Sequence, residues 1–143
     1  MKNIMMCDCS GRWGSVAPLV LRLATGAIFL VHGLMKLMTM GLPGTTGFLA
    51  SLGFPAPGLF AVLLIAAEVI GGAFLVLGLF THWSAKVLAV VALVALFTVH
   101  LKNGFLISAG GYEFIMLIFA ACVSLMITGA GKWSLDQKLF KKA

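Results

Sequence analysis

Four long apolar runs constrain this chain more than any other feature. They cover roughly residues 16–38, 58–80, 84–101 and 112–129. Each approaches or exceeds the ~20 residues that cross ~30 Å of hydrocarbon. Lipid offers no partner to backbone N–H and C=O, so runs that enter it fold as helices. Composition agrees: 62% of the chain is apolar and 10% charged, whereas a soluble domain carries ~25% charged residues. The expected fold is all-α, an integral membrane four-helix bundle over residues 16–131, between a tail of residues 1–15 and a basic tail of residues 132–143. The first run is not read as a cleavable signal. It is too long, contains Arg22 and is followed by no small-x-small site.

The net charge of +6 is unevenly placed. Lys2, Arg12, Lys86, Lys132, Lys138, Lys141 and Lys142 flank the runs on one side, and only Lys36 and Lys102 lie toward the other. A nucleic-acid-binding protein would gather its cations on one face; these are spread along one membrane side, which excludes that class. The positive-inside rule then places both termini in the cytoplasm, and Trp13, Trp83 and Trp133 fall at the same ends, where an indole prefers the interface. The expected location is a cell membrane crossed several times, the inner membrane of a bacterium.

The stretch from Thr39 to Pro57 carries no charge. Thr46 to Leu52 has room for a short interfacial helix, stopped by Phe54-Pro55-Ala56-Pro57, since proline lacks a donor and biases its predecessor toward extended backbone. The stretch is either a tight connector or a lid over an outer cavity. A faint echo also suggests two parallel helical hairpins: Glu68 precedes Trp83-Ser84, Glu113 precedes Trp133-Ser134, and His32 and His100 sit toward the outer side of alternate runs.

Function in such a chain is sought at polar groups that lipid disfavours, because a charge near the bilayer centre costs roughly 2.5–3.5 kcal/mol on insertion scales. Arg22, His32 and Lys36 lie in the first run and Glu68 near the middle of the second. Arg22, Gly26, Phe29, Gly33 and Lys36 form one helical stripe; Glu68, Gly71, Leu75 and Gly78 form another, with Gly72 beside it. Glycines so spaced let two helices approach closely. Arg22, His32, Lys36 and Glu68 are therefore expected to converge on one pocket, or else Arg22 and Glu68 form a buried pair that only holds the helices together. A second cluster, His100, Lys102 and Glu113, is expected at the outer ends of the last two runs. Cys7 and Cys9 beside Met5 and Met6 are candidate soft-metal ligands, against the plainer reading of a disordered tail. Cys122 reads as packing, and no Cys-x-x-Cys pair is present.

The run Arg22 … His32-Gly33-x-x-Lys36, then Glu68-x-x-Gly71-Gly72, Gly78-Leu79-Phe80-Thr81, Glu113 and Gly129-x-Gly131-x-x-Ser134-Leu135-Asp136 resembles the DoxX family of small four-helix membrane proteins, over roughly residues 18–136. His82 stands where that family commonly has arginine. The resemblance implies kinship with the DoxD subunit of a thiosulfate:quinone oxidoreductase and with membrane partners of redox-stress enzymes, and it carries over no settled catalytic residue. The leading expectation is a membrane subunit of a quinone-linked redox complex. Arg22, His32 and Lys36 would supply donors to the quinone, and Glu68 a proton relay. With no flavin or nucleotide motif in the sequence, electrons would come from a soluble redox partner. Haem held by His32 and His100 is disfavoured by their different depths. The alternatives are a non-catalytic scaffold or assembly protein, or a carrier of a small solute or protons. A homo-oligomer is compatible with each.

Overall fold

The computed structural model describes residues 16–140. Cys7, Cys9 and Trp13 lie outside the described residues, as do Lys2, Arg12, Lys141 and Lys142. Among the described residues there are helices and no strands. In chain order they are α1 (Ala17–Met35), α2 (Gly41–Ser51), α3 (Pro57–Leu77), α4 (Thr81–Ala95), α5 (Glu113–Thr128) and α6 (Leu135–Phe140).

Three helical stretches, Ala17–Ser51, Pro57–Leu77 and Thr81–Asn103, are long and apolar enough to cross a membrane; Glu113–Thr128 is apolar and shorter. In the most apolar windows of the three, only 33%, 33% and 28% of residues are buried inside the protein. Val20, Val31, Leu59, Val90, Phe97 and Leu117 all point outward. A helix apolar on every side needs lipid or protein around it, and these outward faces are left to lipid.

The long helices pack in a cycle: α1 along α3, α3 along α4, α4 along α5, and α5 back onto α1. Phe29, Leu75, Leu88, Ile118, Cys122 and Leu125 meet at the centre. The crossing of α1 with α3 is the closest. A Cβ on Gly72 would lie 2.6 Å from the Leu30 nitrogen, one on Gly26 2.8 Å from the Gly72 oxygen, and one on Gly33 2.9 Å from Glu68 Cβ. The expected close approach is present, but not with every expected glycine. Gly71 faces α4, where a Cβ would meet the Leu88 side chain at 3.2 Å. Gly78 ends α3 in the left-handed region at φ 65°, a common helix stop, and faces Arg22 and Ser134.

Two features of the connections position the site. First, α1 and α4 each run into a single π turn, Lys36–Met40 and Leu96–His100. Insertions of this kind inside helices concentrate at functional sites. Second, Gly41, at φ 67°, redirects the chain after the first π turn, and α2 folds against α3. The short helix expected from Thr46 thus starts earlier, at Gly41, and Thr45 Oγ1 donates to the Gly41 carbonyl at 3.1 Å. Pro57 opens α3 at its first position, where its missing N–H leaves nothing unpaired. Ala56 before it is left-handed, at φ 49°, not extended. The end of the molecule holding both π turns is called here the π end, and the opposite one the α6 end.

The internal echo has a backbone basis, in a register different from the expected one. Gly78 and Phe80 have φ of 65° and 46°, and Gly131 and Trp133 have 67° and 53°. Each Gly-x-aromatic turn is followed by Thr81 or Ser134 and then by a helix. The counterpart of Trp133-Ser134 is therefore Phe80-Thr81 and not Trp83-Ser84.

Candidate functional site

At the π end, Lys36 Nζ donates to both carboxylate oxygens of Glu68, at 2.7 and 2.9 Å. The Lys36 side chain is 18% exposed and that of Glu68 7%. Gly33, one turn before Lys36, lets α3 come near enough to present Glu68. The pair lies where two cavities meet, and Lys36, Glu68, Val91, Ala95 and His100 line both.

The larger cavity, of about 640 Å³, lies between α2, α3 and α4. Its walls include Phe48 and Leu49 of α2, Phe60 and Leu63 of α3, and Val90 and Val94 of α4. Leu63, Val90 and Val94 are each more than a third exposed, so it opens sideways between α3 and α4. Its volume and its few polar groups in apolar walls are those of a small-molecule site. The smaller cavity, of about 200 Å³, lies between α1, α4 and α5 under Ile107, Gly110 and Gly111.

His32 lines the smaller cavity; its Nδ1 is 2.8 Å from the Ile28 carbonyl, one turn back in α1. His100 and Glu113 both engage the loop between α4 and α5. His100 Nδ1 is 2.8 Å from the Gly110 carbonyl, and the Ile107 N–H donates to Glu113 Oε2 at 3.0 Å. The expected cluster is thus tied through the loop's main chain, with no direct His100–Glu113 bond among the described residues. Lys102 is exposed on that loop.

Arg22 does not join this site. It is 1% exposed and occupies the α6 end. Nε donates to the Ala130 carbonyl at 3.0 Å, Nη1 to Leu75 and Val76 at 3.2 and 2.5 Å, and Nη2 to Trp133 at 2.7 Å. The reason is geometric: Arg22 and Lys36 stand about 21 Å apart along α1 at 1.5 Å per residue. Carbonyls at a helix end run short of intrahelical donors, and Leu75, which also takes the Gly78 N–H, and Val76 accept two of the guanidinium's bonds there. Neither the four-residue convergence nor the Arg22–Glu68 pair forms. Lys36 is the cation that meets Glu68.

The site's distribution along the chain can be set beside known proteins. The DoxX family model matches residues 17–101, a span that includes Lys36, Glu68 and His100. The chain belongs to the DoxX family. Its relatives include a protein of Bacillus subtilis named "Putative oxidoreductase CatD", 36% identical over 88% of this chain and 89% of that protein. The inner membrane protein YphA of Escherichia coli is 33% identical over 88% and 94%. An uncharacterized protein of Haemophilus influenzae is 33% identical over 85% and 90%. No solved structure matches this DoxX chain.

Several residues of this DoxX protein take roles that sequence reasoning did not assign. The Asp136 carboxylate accepts the N–H of Phe80 and of Thr81, at 2.6 and 2.9 Å, and so caps the start of α4 from the far end of the chain. Its own N–H donates to Gly78 at 2.8 Å. A helix N-terminus favours a negative charge, but nothing local in the sequence says which helix a distant aspartate will cap. Gly111 is packed so tightly against the carbonyls of Gly104 and Leu106 that a Cβ has no room.

Proposed function

We propose that this DoxX protein is a membrane subunit of a quinone-linked redox complex. In this reading α1, α3, α4 and α5 cross the bilayer as a four-helix bundle with both termini in the cytoplasm. The larger cavity is the quinone site. The observation that carries the proposal is that cavity: apolar walls of about 640 Å³, open to lipid between α3 and α4, with one ion pair at the floor. A quinone partitions into lipid, and its ring and tail fit apolar walls reached sideways. Its carbonyl oxygens need donors, of which the Lys36 ammonium is one, and Glu68 can hold or release a proton beside it. A bound quinone supplies two-electron, two-proton chemistry. α2 excludes water from one side, and a soluble partner is the electron source. The name of the B. subtilis relative supports an oxidoreductase role.

The test is retention of quinone through purification. Protein taken from quinone-containing membranes is expected to carry stoichiometric quinone by mass spectrometry. Ala67→Phe, which fills the cavity wall, is expected to remove it while the protein stays folded. Wild type holding no more quinone than its co-purified lipid would reject the proposal. Topology has its own test: alkaline phosphatase fused after Ala143 is expected to be inactive in intact cells, because that reporter works only outside the cytoplasm. The scaffold reading predicts something else. Lys36→Met with Glu68→Leu would then leave the complex assembled and fully active.

A further inference from the structure

The smaller cavity differs in character from the larger one, although the two share Lys36, Glu68 and His100. It adds the imidazole of His32 and is closed by main chain of the loop between α4 and α5. Both histidines have a fixed tautomer when neutral. The carbonyls of Ile28 and Gly110 can only accept, so Nδ1 of His32 and of His100 carries the proton. In each ring Nε2 is then the acceptor, and no hydrogen bond among the described residues takes it. Each ring is thus held by its own carbonyl with Nε2 ready to accept a hydrogen bond from water in the cavity. With the Glu68 carboxylate and the Lys36 ammonium, these groups give several waters the two to four polar partners each that buried water needs.

Side chains at the two helix ends help hold the loop over this cavity, the Ile107 N–H donating to Glu113 and His100 to the Gly110 carbonyl, beside Asn103 on the same carbonyl and main-chain bonds from Tyr112 to Gly104 and from Glu113 to Phe105. Ile107 and Gly110 both line it, and the loop from residue 101 to 110, these two included, is exposed. We propose that the smaller cavity is a water passage from the loop side of the protein to the Lys36–Glu68 pair, with the loop as its plug and Glu113 as the latch. It carries protons between that side and Glu68, separately from the sideways apolar entrance. The inference rests on the bilayer arrangement proposed above, not on the identity of the molecule in the larger cavity.

Thiol accessibility tests it without any quinone. In a background of Cys7→Ser, Cys9→Ser and Cys122→Ala, single cysteines replace Ile115 or Ile28, which line only the smaller cavity, and Leu63, which lines only the larger. Asn103→Cys, on the exposed loop, is the positive control. The probe is silver ion, a small thiol reagent that travels with water, applied to right-side-out spheroplasts or to inverted vesicles. Silver is expected to reach Ile115→Cys and Ile28→Cys from the loop side and to leave Leu63→Cys untouched. Adding Glu113→Ala removes a hydrogen bond to a charged acceptor and is expected to speed labelling about tenfold. Two independent reporters guard against one variant failing to fold. If both stay unlabelled in both backgrounds while Asn103→Cys reacts, or if they react only from the opposite side, the passage is rejected.

Discussion

Both ends of this membrane protein hold a cation between helices, buried in one case and half-buried in the other, and they use it differently. Arg22, at the α6 end, spends its three nitrogens on four main-chain carbonyls in α3 and in the segment after α5. Lys36, at the π end, pairs with a single carboxylate between two cavities. The first gives four of its five N–H groups to fixed backbone, so its charge ties helices together. The second keeps open space on both sides and a partner that can change protonation. A buried charge is evidence of a working site only when something besides protein borders it.

That contrast is sharpest in stability. Arg22→Met would leave four carbonyls without this donor, and hydrogen bonds to charged groups are worth about 1.5–3 kcal/mol each, though not additively. A loss of at least about 3 kcal/mol is expected, read as a collapse of monodisperse yield in detergent. A wild-type melting temperature would mean that Arg22 is dispensable and the comparison false. Gly72→Leu comes next, because its side chain must enter the backbone of α1. Overpacking of this kind costs about 1–3 kcal/mol, and Gly71→Ala should cost less, since the Leu88 side chain it meets can shift.

Smaller effects are expected at the π end. Glu68→Leu strands Lys36, but Lys36 borders two cavities and its flexible stem can carry the ammonium toward water. A cost of about 1–2 kcal/mol is expected, below that of Arg22→Met in the same denaturation assay. The double change Lys36→Met with Glu68→Leu should recover most of it, as apolar replacements of buried pairs often do. If Glu68→Leu cost as much as Arg22→Met, the pair would be structural after all, and the two ends would be alike.

The apolar runs made the long helices legible, because the length and hydropathy that lipid demands are properties of local sequence. The close contact of α1 with α3 was legible too, from Gly26, Gly33 and Gly72. Gly71 and Gly78 misled, since spacing alone does not say which neighbour a glycine faces or whether the helix has already ended. Arg22 misled for a different reason. A cation suggests a carboxylate partner, while the acceptors are main-chain carbonyls, two at the end of α3 and two in the segment after α5, which no side chain advertises. The π turns that hold Lys36 and His100 left no pattern in the residue types, because hydrogen-bond slippage within a helix depends on what packs around it.

The four acceptors of Arg22 also set an order of assembly. Leu75 and Val76 leave the ribosome well after α1, and Trp133 follows Arg22 by 111 residues. At roughly 5–20 residues per second that delay is about 6 to 22 s. Through it, α1 carries a cation whose final ligands have not been synthesised, so the nascent first helix must stay near the insertion machinery or the water interface. The segment from Ala130 to Trp133 is thus the last fastening of the first helix, and a chain interrupted at Thr128 would leave α1 half-tied.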